Sequence, residues 1–374
     1  MGIYQDGTFV GRIWHNDIGV CVVAARHGTL YDITCREIAM VRDLLEVKDA
    51  TGWLADRLDR PLGTVESCLR GETSDVELLA PCDLQAIKAC GVMFARSMVE
   101  RVIEEKAAGN PALATKIRER VTAIIGDSLC DLKAGSEEAA KVKAALIEEG
   151  VWSQYLEVGI GPDAEVFSKA QPMSSVGYGA DVGLHPISRW NNPEPEIVLA
   201  VNSCGEVKGA TLGNDVNLRD VEGRSALLLG KAKDNNASCA IGPFIRLFDD
   251  TYSIDDVRKA DLDLLVEGED GFSMSGKSSM KEISRDPLDL VNQTIGRHHQ
   301  YPDGLMLFMG TMFAPVEDRD YEGQGFTHKI GDKVTISNTH LGSLVNTVRL
   351  STECPRWTFG IRALMANLAN RGLL

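Results

Sequence analysis

Residues 191–220 read NNPEPEIVLAVNSCGEVKGATLGNDVNLRD, a stretch in which acidic residues lie on either side of an apolar run. Its apolar run at residues 197–201 predicts a buried strand, and side-chain alternation places Glu194 and Glu196 on one face at its start. Two such carboxylates repel each other, so they require a cation, a shared proton or bulk water. Carboxylate oxygens are hard ligands, which favour magnesium, manganese or calcium over zinc. The stretch therefore predicts a divalent-metal site.

Two residues further along the chain extend this pattern. Asp215 lies in GNDVNLRD and Lys233 lies in GKAKDNNASCAIGP. A Glu-x-Glu pair on its own is more often a solvated strand end, so the prediction of a metal site depends on all four residues together.

The composition of the chain is that of an ordinary globular protein with one large core or two domains. Its 374 residues are 44% hydrophobic and 25% charged, with a formal net charge of −15. Such an acidic balance argues against a nucleic-acid partner, because phosphates require a basic surface. An acidic cytosolic enzyme is the favoured interpretation.

The cysteines and the first residues indicate the cellular compartment of the protein. The nine cysteines include no CxxC pair, which fits free thiols in a reducing compartment. The first residues, MGIYQDGTFVGRIW, lack a basic region followed by an apolar stretch, so no signal peptide is expected. The most apolar stretch, residues 304–314, is too short to span a bilayer. We expect a cytoplasmic protein with no membrane partner.

The order of predicted elements indicates an α+β fold. Residues 7–34 alternate apolar and polar and predict a small strand meander within an N-terminal domain of residues 1–80. Residues 81–374 form the predicted catalytic domain, which becomes strand-like from about residue 156, with LEVGIG as its first strand. Helices are predicted at 94–106, 110–125, 136–150, 286–298 and 355–371. Neither a GxGxxG loop nor a P-loop occurs, which argues against a Rossmann or P-loop enzyme.

Several segments in the same order resemble the fumarylacetoacetate hydrolase family. They are Glu194-Pro195-Glu196, NDVNLRD at 214–220, Lys233 ahead of Gly242-Pro243, GPDAEVFSKAQPMSSVGYG at 161–179, LMLFMGTMFAP at 305–315 and KIGDKVTISNTHLGSLVNTV at 329–348. The resemblance covers about residues 81–374. It implies a mixed β-sandwich roll core with flanking helices, preceded by a small β-rich N-terminal domain.

One segment departs from the hydrolases of this family. Members that cleave carbon–carbon bonds carry Gly-x-Asn-Tyr-x-x-His, whereas residues 91–97 read GVMFARS and place Ser97 where the histidine would stand. The segment resembles the dehydratase branch that acts on 2-keto-3-deoxy-D-pentonates of the xylonate or arabinonate series. The resemblance implies loss of water from such a compound to give 2,5-dioxopentanoate.

Other functions stay open from the sequence. The alternative within the family is a hydrolase of an acylpyruvate or a 2,4-diketo acid, and a 2-keto acid decarboxylase or tautomerase would use the same metal chemistry. A non-catalytic binding protein would have no need to keep the three carboxylates and Lys233 together. The family also implies a homo-dimer or homo-tetramer.

The resemblance implies roles for individual residues. Glu194, Glu196 and Asp215 would hold Mg²⁺, with Mn²⁺ or Ca²⁺ as alternatives. Lys233 would bind the C1 and C2 oxygens of a 2-keto acid and relay protons if burial lowered its pKa. Glu165 is the candidate acid or base, although such a glutamate is otherwise a common surface residue. The candidate substrate contacts are Ser97, which is also a candidate helix cap, and Arg96, Arg101, Thr311 and Lys233.

Overall fold

The computed structural model describes residues 3–73, 75–114, 117–118, 132–148, 150, 152–313, 315, 317–320 and 325–374. Within these ranges the chain forms an 11-stranded sheet and a 5-stranded sheet, with helices at their flanks. This architecture confirms the predicted α+β fold with a largely β core.

The strands lie between residues 9 and 350. In chain order they are β1 (Phe9–His15), β2 (Gly19–Arg26), β3 (Thr29–Asp32), β4 (Pro61–Thr64), β5 (Val76–Leu79), β6 (Ala86–Gly91), β7 (Glu165–Ala170), β8 (Asp181–Leu184), β9 (Pro195–Val201), β10 (Val207–Asp215), β11 (Cys239–Leu247), β12 (Asp261–Glu267), β13 (Ser273–Ser279), β14 (Leu305–Phe308), β15 (Lys333–Asn338) and β16 (Gly342–Leu350).

The α-helices that the structure describes with defined ends are mostly short. They are α1 (Val41–Glu46), α2 (Ala50–Ala55), α3 (Val65–Leu69), α4 (Ala95–Lys106), α5 (Glu137–Glu148), α6 (Gln154–Ile160), α7 (Arg219–Glu222), α8 (Leu229–Lys233), α9 (Ile254–Val257), α10 (Pro287–Thr294) and α11 (Ile361–Asn370).

Strands β9 and β10 lie near the middle of the larger sheet. Its order is β4-β3-β2-β1-β11-β10-β9-β14-β6-β7, and β5 also pairs with β1. Every residue of β9 is buried, as the apolar run predicted. Ile197 and Leu199 pack in the core that both sheets share, whereas Val198 and Ala200 pack on the opposite face in the core that includes helix α1. A strand covered on both faces needs a continuous apolar run, and this explains the sequence of β9.

The N-terminal strands continue the same sheet. Strands β1, β2 and β3 form the predicted meander, and β1 pairs with β11 through Phe9 opposite Arg246 and Val10 opposite Ile245. Hydrogen bonds within one sheet therefore join residues on both sides of position 80. The division into domains of residues 1–80 and 81–374 stays a prediction.

Capping residues set several helix ends. Ser136 accepts a hydrogen bond from the backbone N–H of Ala139 at the start of α5, and Asp286 caps α10 ahead of Pro287. These starts were predicted, but α10 ends at Thr294 rather than near residue 298. Of the predicted helix at 110–125, residues 111–114 and 117–118 are helical and the rest lies outside the described residues.

Two predicted elements were wrong. The segment LEVGIG lies in helix α6 rather than in a strand, and the last helix starts at Ile361 rather than at residue 355.

Among the described residues, no helix combines the length and the apolar composition that crossing a lipid bilayer requires.

Candidate active site

Three buried carboxylates meet where β9 begins and β10 ends. Glu194, Glu196 and Asp215 are 6%, 2% and 2% exposed, and one oxygen from each lies within 4.8 Å of the others. The antiparallel register pairs Asn214 with Pro195, and the backbone N–H of Asp215 donates to the carbonyl of Glu194 at 3.1 Å. Side chains that neighbour across a ladder share one face of the sheet. Strand register thus places the three carboxylates on one face of the sheet.

Two of these carboxylates have cations as partners. Lys233, at the end of α8, places its Nζ 2.7 Å from Glu194 Oε2 and 3.2 Å from Asp215 Oδ2. Arg101 of α4 lies 2.8 Å from Glu194 Oε1, and Lys169 of β7 lies 2.9 Å from Asp215 Oδ1. The side chains of three separate elements therefore hold Glu194 and Asp215 in place.

Glu196 lacks such a partner. Among the described residues it forms no ion pair, and it accepts one hydrogen bond, from the backbone N–H of Gly310 at 2.7 Å. Burial raises the pKa of Glu196 well above its usual value, and the neighbouring Asp215 and Glu194 raise it further. A buried carboxylate next to two others, all hard oxygen donors, is the chemistry that a divalent cation satisfies.

The charge around these residues supports the same conclusion. Five carboxyl groups line or approach the cavity: Glu165, Glu194, Glu196, Asp215 and Glu222. Three cations accompany them: Arg101, Lys169 and Lys233. One of these cations, Arg101, also pairs with Glu104 at 2.7 Å, so the carboxyl groups outnumber the positive charges available to them. A divalent cation would offset part of this excess.

The pKa of Lys233 is raised rather than lowered. Burial disfavours the ammonium, but Asp215, Glu194 and Glu222 together outweigh it and raise the pKa above the ordinary lysine value. These carboxylates favour a charged Lys233 that donates hydrogen bonds. The proton relay stays a prediction.

Glu165 begins β7 at the edge of the same cavity. It lies opposite Gly91 of β6, and Gly91 lines the cavity together with Glu194 and Lys233. Burial raises the pKa of the Glu165 carboxyl; Arg101 and Lys233 oppose this shift, and Glu194 and Asp215 add to it. A carboxyl group with a raised pKa is suited to proton transfer near neutral pH.

The structure brings four of the five predicted substrate contacts to the cavity. The cavity is lined by Ser97, Arg101, Thr311 and Lys233, while the side chain of Arg96 lies outside the described part of the chain. The Ser97 hydroxyl donates to the carbonyl of Phe94 at 2.9 Å and accepts from the backbone N–H of Phe94 at 3.3 Å. Ser97 therefore caps the start of α4 from the third residue of the helix. Thr311 Oγ1 accepts from the backbone N–H of Phe313.

Sequence reasoning missed two charged residues of the site. Lys169 is fully buried, and besides its ion pair with Asp215 it donates to the backbone carbonyl of Lys233. Glu222 lines the cavity and lies 2.9 Å from Arg101 Nη1. The available signal was the lysine in the strand-like segment EVFSKA, because a lysine on a strand face that other elements cover needs an acidic partner.

We expect Lys169→Met to lower the free energy of unfolding by about 3–5 kcal/mol, because it leaves the buried Asp215 short of one cation. Urea denaturation in the presence of EDTA measures this loss. Lys88→Met is the matched control, since Lys88 lies in the neighbouring strand and its one hydrogen bond to a described residue goes from Nζ to Ser168 Oγ, at 3.0 Å. Its loss should be about 1 kcal/mol. Equal losses in the two variants would show that Lys169 does not stabilise Asp215.

The comparisons with known proteins give the class of this chain. The family described as "Fumarylacetoacetate (FAA) hydrolase C-terminal" matches residues 155–349, more than half of the 374 residues. The chain therefore belongs to the fumarylacetoacetate hydrolase family, as the resemblance predicted.

Two curated relatives are more specific. A protein of Haloferax volcanii named "Probable 2-keto-3-deoxyxylonate dehydratase" is 26% identical over 276 residues, which cover 74% of this chain and 90% of the relative. The 2-dehydro-3-deoxy-D-arabinonate dehydratase of Saccharolobus solfataricus is 29% identical over 213 residues, which cover 57% of this chain and 65% of the relative.

Solved structures share the fold. A 2-keto-3-deoxy-D-arabinonate dehydratase complexed with magnesium and 2,5-dioxopentanoate superposes with a TM-score of 0.63 at 21% identity, covering 92% of this chain and 99% of that chain. A 5-carboxymethyl-2-hydroxymuconate delta-isomerase from Mycobacterium smegmatis gives a TM-score of 0.52 at 18% identity, covering 91% and 98%. The fold therefore occurs with more than one chemistry, and the function has to be argued from the site.

Proposed function

We propose that this protein is a magnesium-dependent dehydratase that converts a 2-keto-3-deoxy-D-pentonate into 2,5-dioxopentanoate and water. The observation that carries the proposal is the set of buried carboxylates Glu194, Glu196 and Asp215 beside Lys233, with the Glu165 carboxyl at the edge of the same cavity. The names of the two curated relatives support the reaction, and the magnesium complex of a solved relative supports the metal.

The site residues divide into those that bind and those that move protons. Glu194, Glu196 and Asp215 would hold Mg²⁺, which when bound polarises the C2 ketone of a 2-keto acid. The Lys233 ammonium would donate to the oxygens at C1 and C2 of the substrate. Arg101 adds a second positive charge for the C1 carboxylate, because it lines the cavity at the side of Glu194.

Glu165 would carry the protons of the elimination. The C3–H bond breaks with transfer of that proton to the carboxylate, the C4–O bond breaks, and the C4 hydroxyl leaves as water after receiving a proton from the Glu165 carboxyl. This leaves a double bond between C3 and C4. Movement of one C5 proton to C3 and of the C5 hydroxyl proton to C4 then gives the aldehyde at C5. The net change is the loss of one water molecule.

The lining of the cavity favours elimination over hydrolysis. Hydrolytic cleavage needs a base that activates water, and Ser97 stands where the hydrolases of the family carry a histidine. Among the described residues that line this cavity and the adjoining cavity near Glu100 and Asn217, none is a histidine. A serine whose hydroxyl is engaged with the carbonyl of Phe94 does not replace that base.

The test is an end-point assay of EDTA-treated protein with 2-keto-3-deoxy-D-xylonate, with and without Mg²⁺. We expect product only with added metal, because the carboxylate set is otherwise without its divalent partner. Coupling to a semialdehyde dehydrogenase and mass measurement identify 2,5-dioxopentanoate. Parallel additions of Mn²⁺ and Ca²⁺ rank the metals, and boiled protein with Mg²⁺ is the control.

A different product would reject the dehydratase. Release of pyruvate from an acylpyruvate or a 2,4-diketo acid, without loss of water from the pentonate, would show that the protein is a hydrolase despite Ser97. Turnover that survives EDTA and ignores added Mg²⁺ would reject the proposed metal site.

The proposal also covers the cellular location and the oligomeric state of the enzyme. We place the enzyme in the cytoplasm, which the free thiols of the described cysteines support, as they persist in a reducing compartment. We also propose a homo-dimer or homo-tetramer, on the ground of the family alone. Light scattering of the purified protein measures the assembly.

A further inference from the structure

The Glu165 carboxyl occupies the space directly above Gly91. The two residues are cross-strand partners in the β6–β7 pair. A Cβ atom built on Gly91 would lie 2.1 Å from Glu165 Oε2 and 2.8 Å from its carboxyl carbon, far inside van der Waals contact. The Glu165 side chain therefore lies where any other residue at position 91 would place its own side chain.

The carboxyl is not fixed by hydrogen bonds or ion pairs in the described part of the chain. The side chain of Glu165 accepts no hydrogen bond there and has no cation within the 4.0 Å of an ion pair. Arg101 on α4 and Lys233 on α8 attract it from a distance, while Glu194 and Asp215 repel it. Its position thus depends on the gap that the missing side chain of Gly91 leaves at the wall of the cavity.

We propose that Gly91 is a positioning residue for Glu165, so that the absence of a side chain at position 91 places the carboxyl for proton transfer. This inference rests on the proposed dehydratase function. The backbone of Gly91 does not require glycine, since its φ lies outside the positive region. The requirement at position 91 is therefore for space, and alanine fits the backbone without strain.

Replacing Gly91 with alanine should move the Glu165 carboxyl without destabilising the fold. The atoms that its Cβ would meet first belong to the far end of a flexible side chain, and the carboxyl moves aside at little cost in stability. A catalytic group misplaced by about 1 Å costs roughly 10²-fold in rate. We expect Gly91→Ala to lower kcat by about 10²-fold, with an unchanged melting temperature and unchanged affinity for Mn²⁺.

The experiment compares four variants with wild type: Gly91→Ala, Glu165→Gln, the double variant and Gly360→Ala. Gly360 is the matched control, because a Cβ there meets only an atom of the Trp357 ring, at 3.9 Å. We measure kcat with the 2-keto-3-deoxy pentonate, Mn²⁺ affinity by calorimetry and the melting temperature. A crystal structure of Gly91→Ala shows where the Glu165 carboxyl lies.

The double variant decides whether Gly91 acts through Glu165. If it does, Gly91→Ala lowers kcat in the wild-type background but has no further effect in Glu165→Gln. The same fold-change in both backgrounds, wild-type kcat in Gly91→Ala, or weaker Mn²⁺ binding would each overturn the inference. A wild-type protein without dehydratase activity would instead reject the proposed function. In that event the crystal structure still decides, since an unmoved Glu165 carboxyl would refute the positioning role.

Discussion

Glu196→Gln is expected to abolish magnesium-dependent turnover while leaving the metal-free protein at least as stable as wild type. Glu196 is the one member of the carboxylate set without an ion pair among the described residues, and burial beside Glu194 and Asp215 raises its pKa. Replacing it with a neutral amide of the same shape removes a ligand and relieves repulsion at once. Because each 1.4 kcal/mol corresponds to a factor of ten and a bound metal contributes several, we expect a loss of roughly 10³-fold or more in kcat/KM.

Activity and stability are measured separately for this prediction. The melting temperature in EDTA should hold or rise, and the increase that wild type shows on adding Mg²⁺ should shrink or vanish. Glu267→Gln is the control, since Glu267 is an exposed glutamate at the end of β12, on the other sheet. A variant that keeps both turnover and stabilisation by Mg²⁺ would remove Glu196 from the metal site.

Glu165→Gln should lower kcat by about 10²–10⁴-fold, the usual contribution of a positioned acid or base. Affinity for Mn²⁺ should not change, because Glu165 is not one of the three clustered carboxylates. This separates the variant from Glu196→Gln, which is expected to lose both properties. Asp163→Asn, an exposed carboxylate two residues upstream, is the control that should keep wild-type activity.

The pH dependence of kcat tests the same residue in a second way. As the base, Glu165 has to be ionised. Burial raises the pKa of its carboxyl group, Glu194 and Asp215 add to this shift, and Arg101 and Lys233 oppose it. We therefore expect kcat to fall with decreasing pH as the Glu165 carboxylate is protonated. The residual kcat of Glu165→Gln should not show this decrease at low pH. If the decrease persists in the variant, another group is the one that titrates.

Patterns local to the chain predicted most of the fold. The apolar run of β9 and the capping signals at Ser136 and Asp286 specified elements that the structure contains. The segment of helix α6 misled because Leu156, Val158 and Ile160 alternate as a strand would. Leu156 and Ile160 are one helical turn apart and are both buried in the cluster that includes α4. Packing against a neighbouring helix, which no local pattern records, decided the conformation of this segment.

The same limit applies to the candidate site. Glu194, Glu196 and Asp215 were found because strand alternation and family order place them together. Lys169 was missed because its partner Asp215 lies 46 positions further on, in a strand that is not its neighbour in the sheet. The role proposed for Gly91 is still harder to predict from the sequence, since a glycine has no side chain whose chemistry could indicate a function. Space that a neighbouring strand uses becomes apparent only in three dimensions.

The pairing of β1 with β11 also constrains how the chain is made. Phe9 and Val10 leave the ribosome long before their partners Arg246 and Ile245. Pairing over such a sequence separation is slow, because a long loop has to close before any stabilising contact forms. The N-terminal strands can therefore join the large sheet only after β11 has been synthesised, and β11 also flanks the strand that carries Asp215.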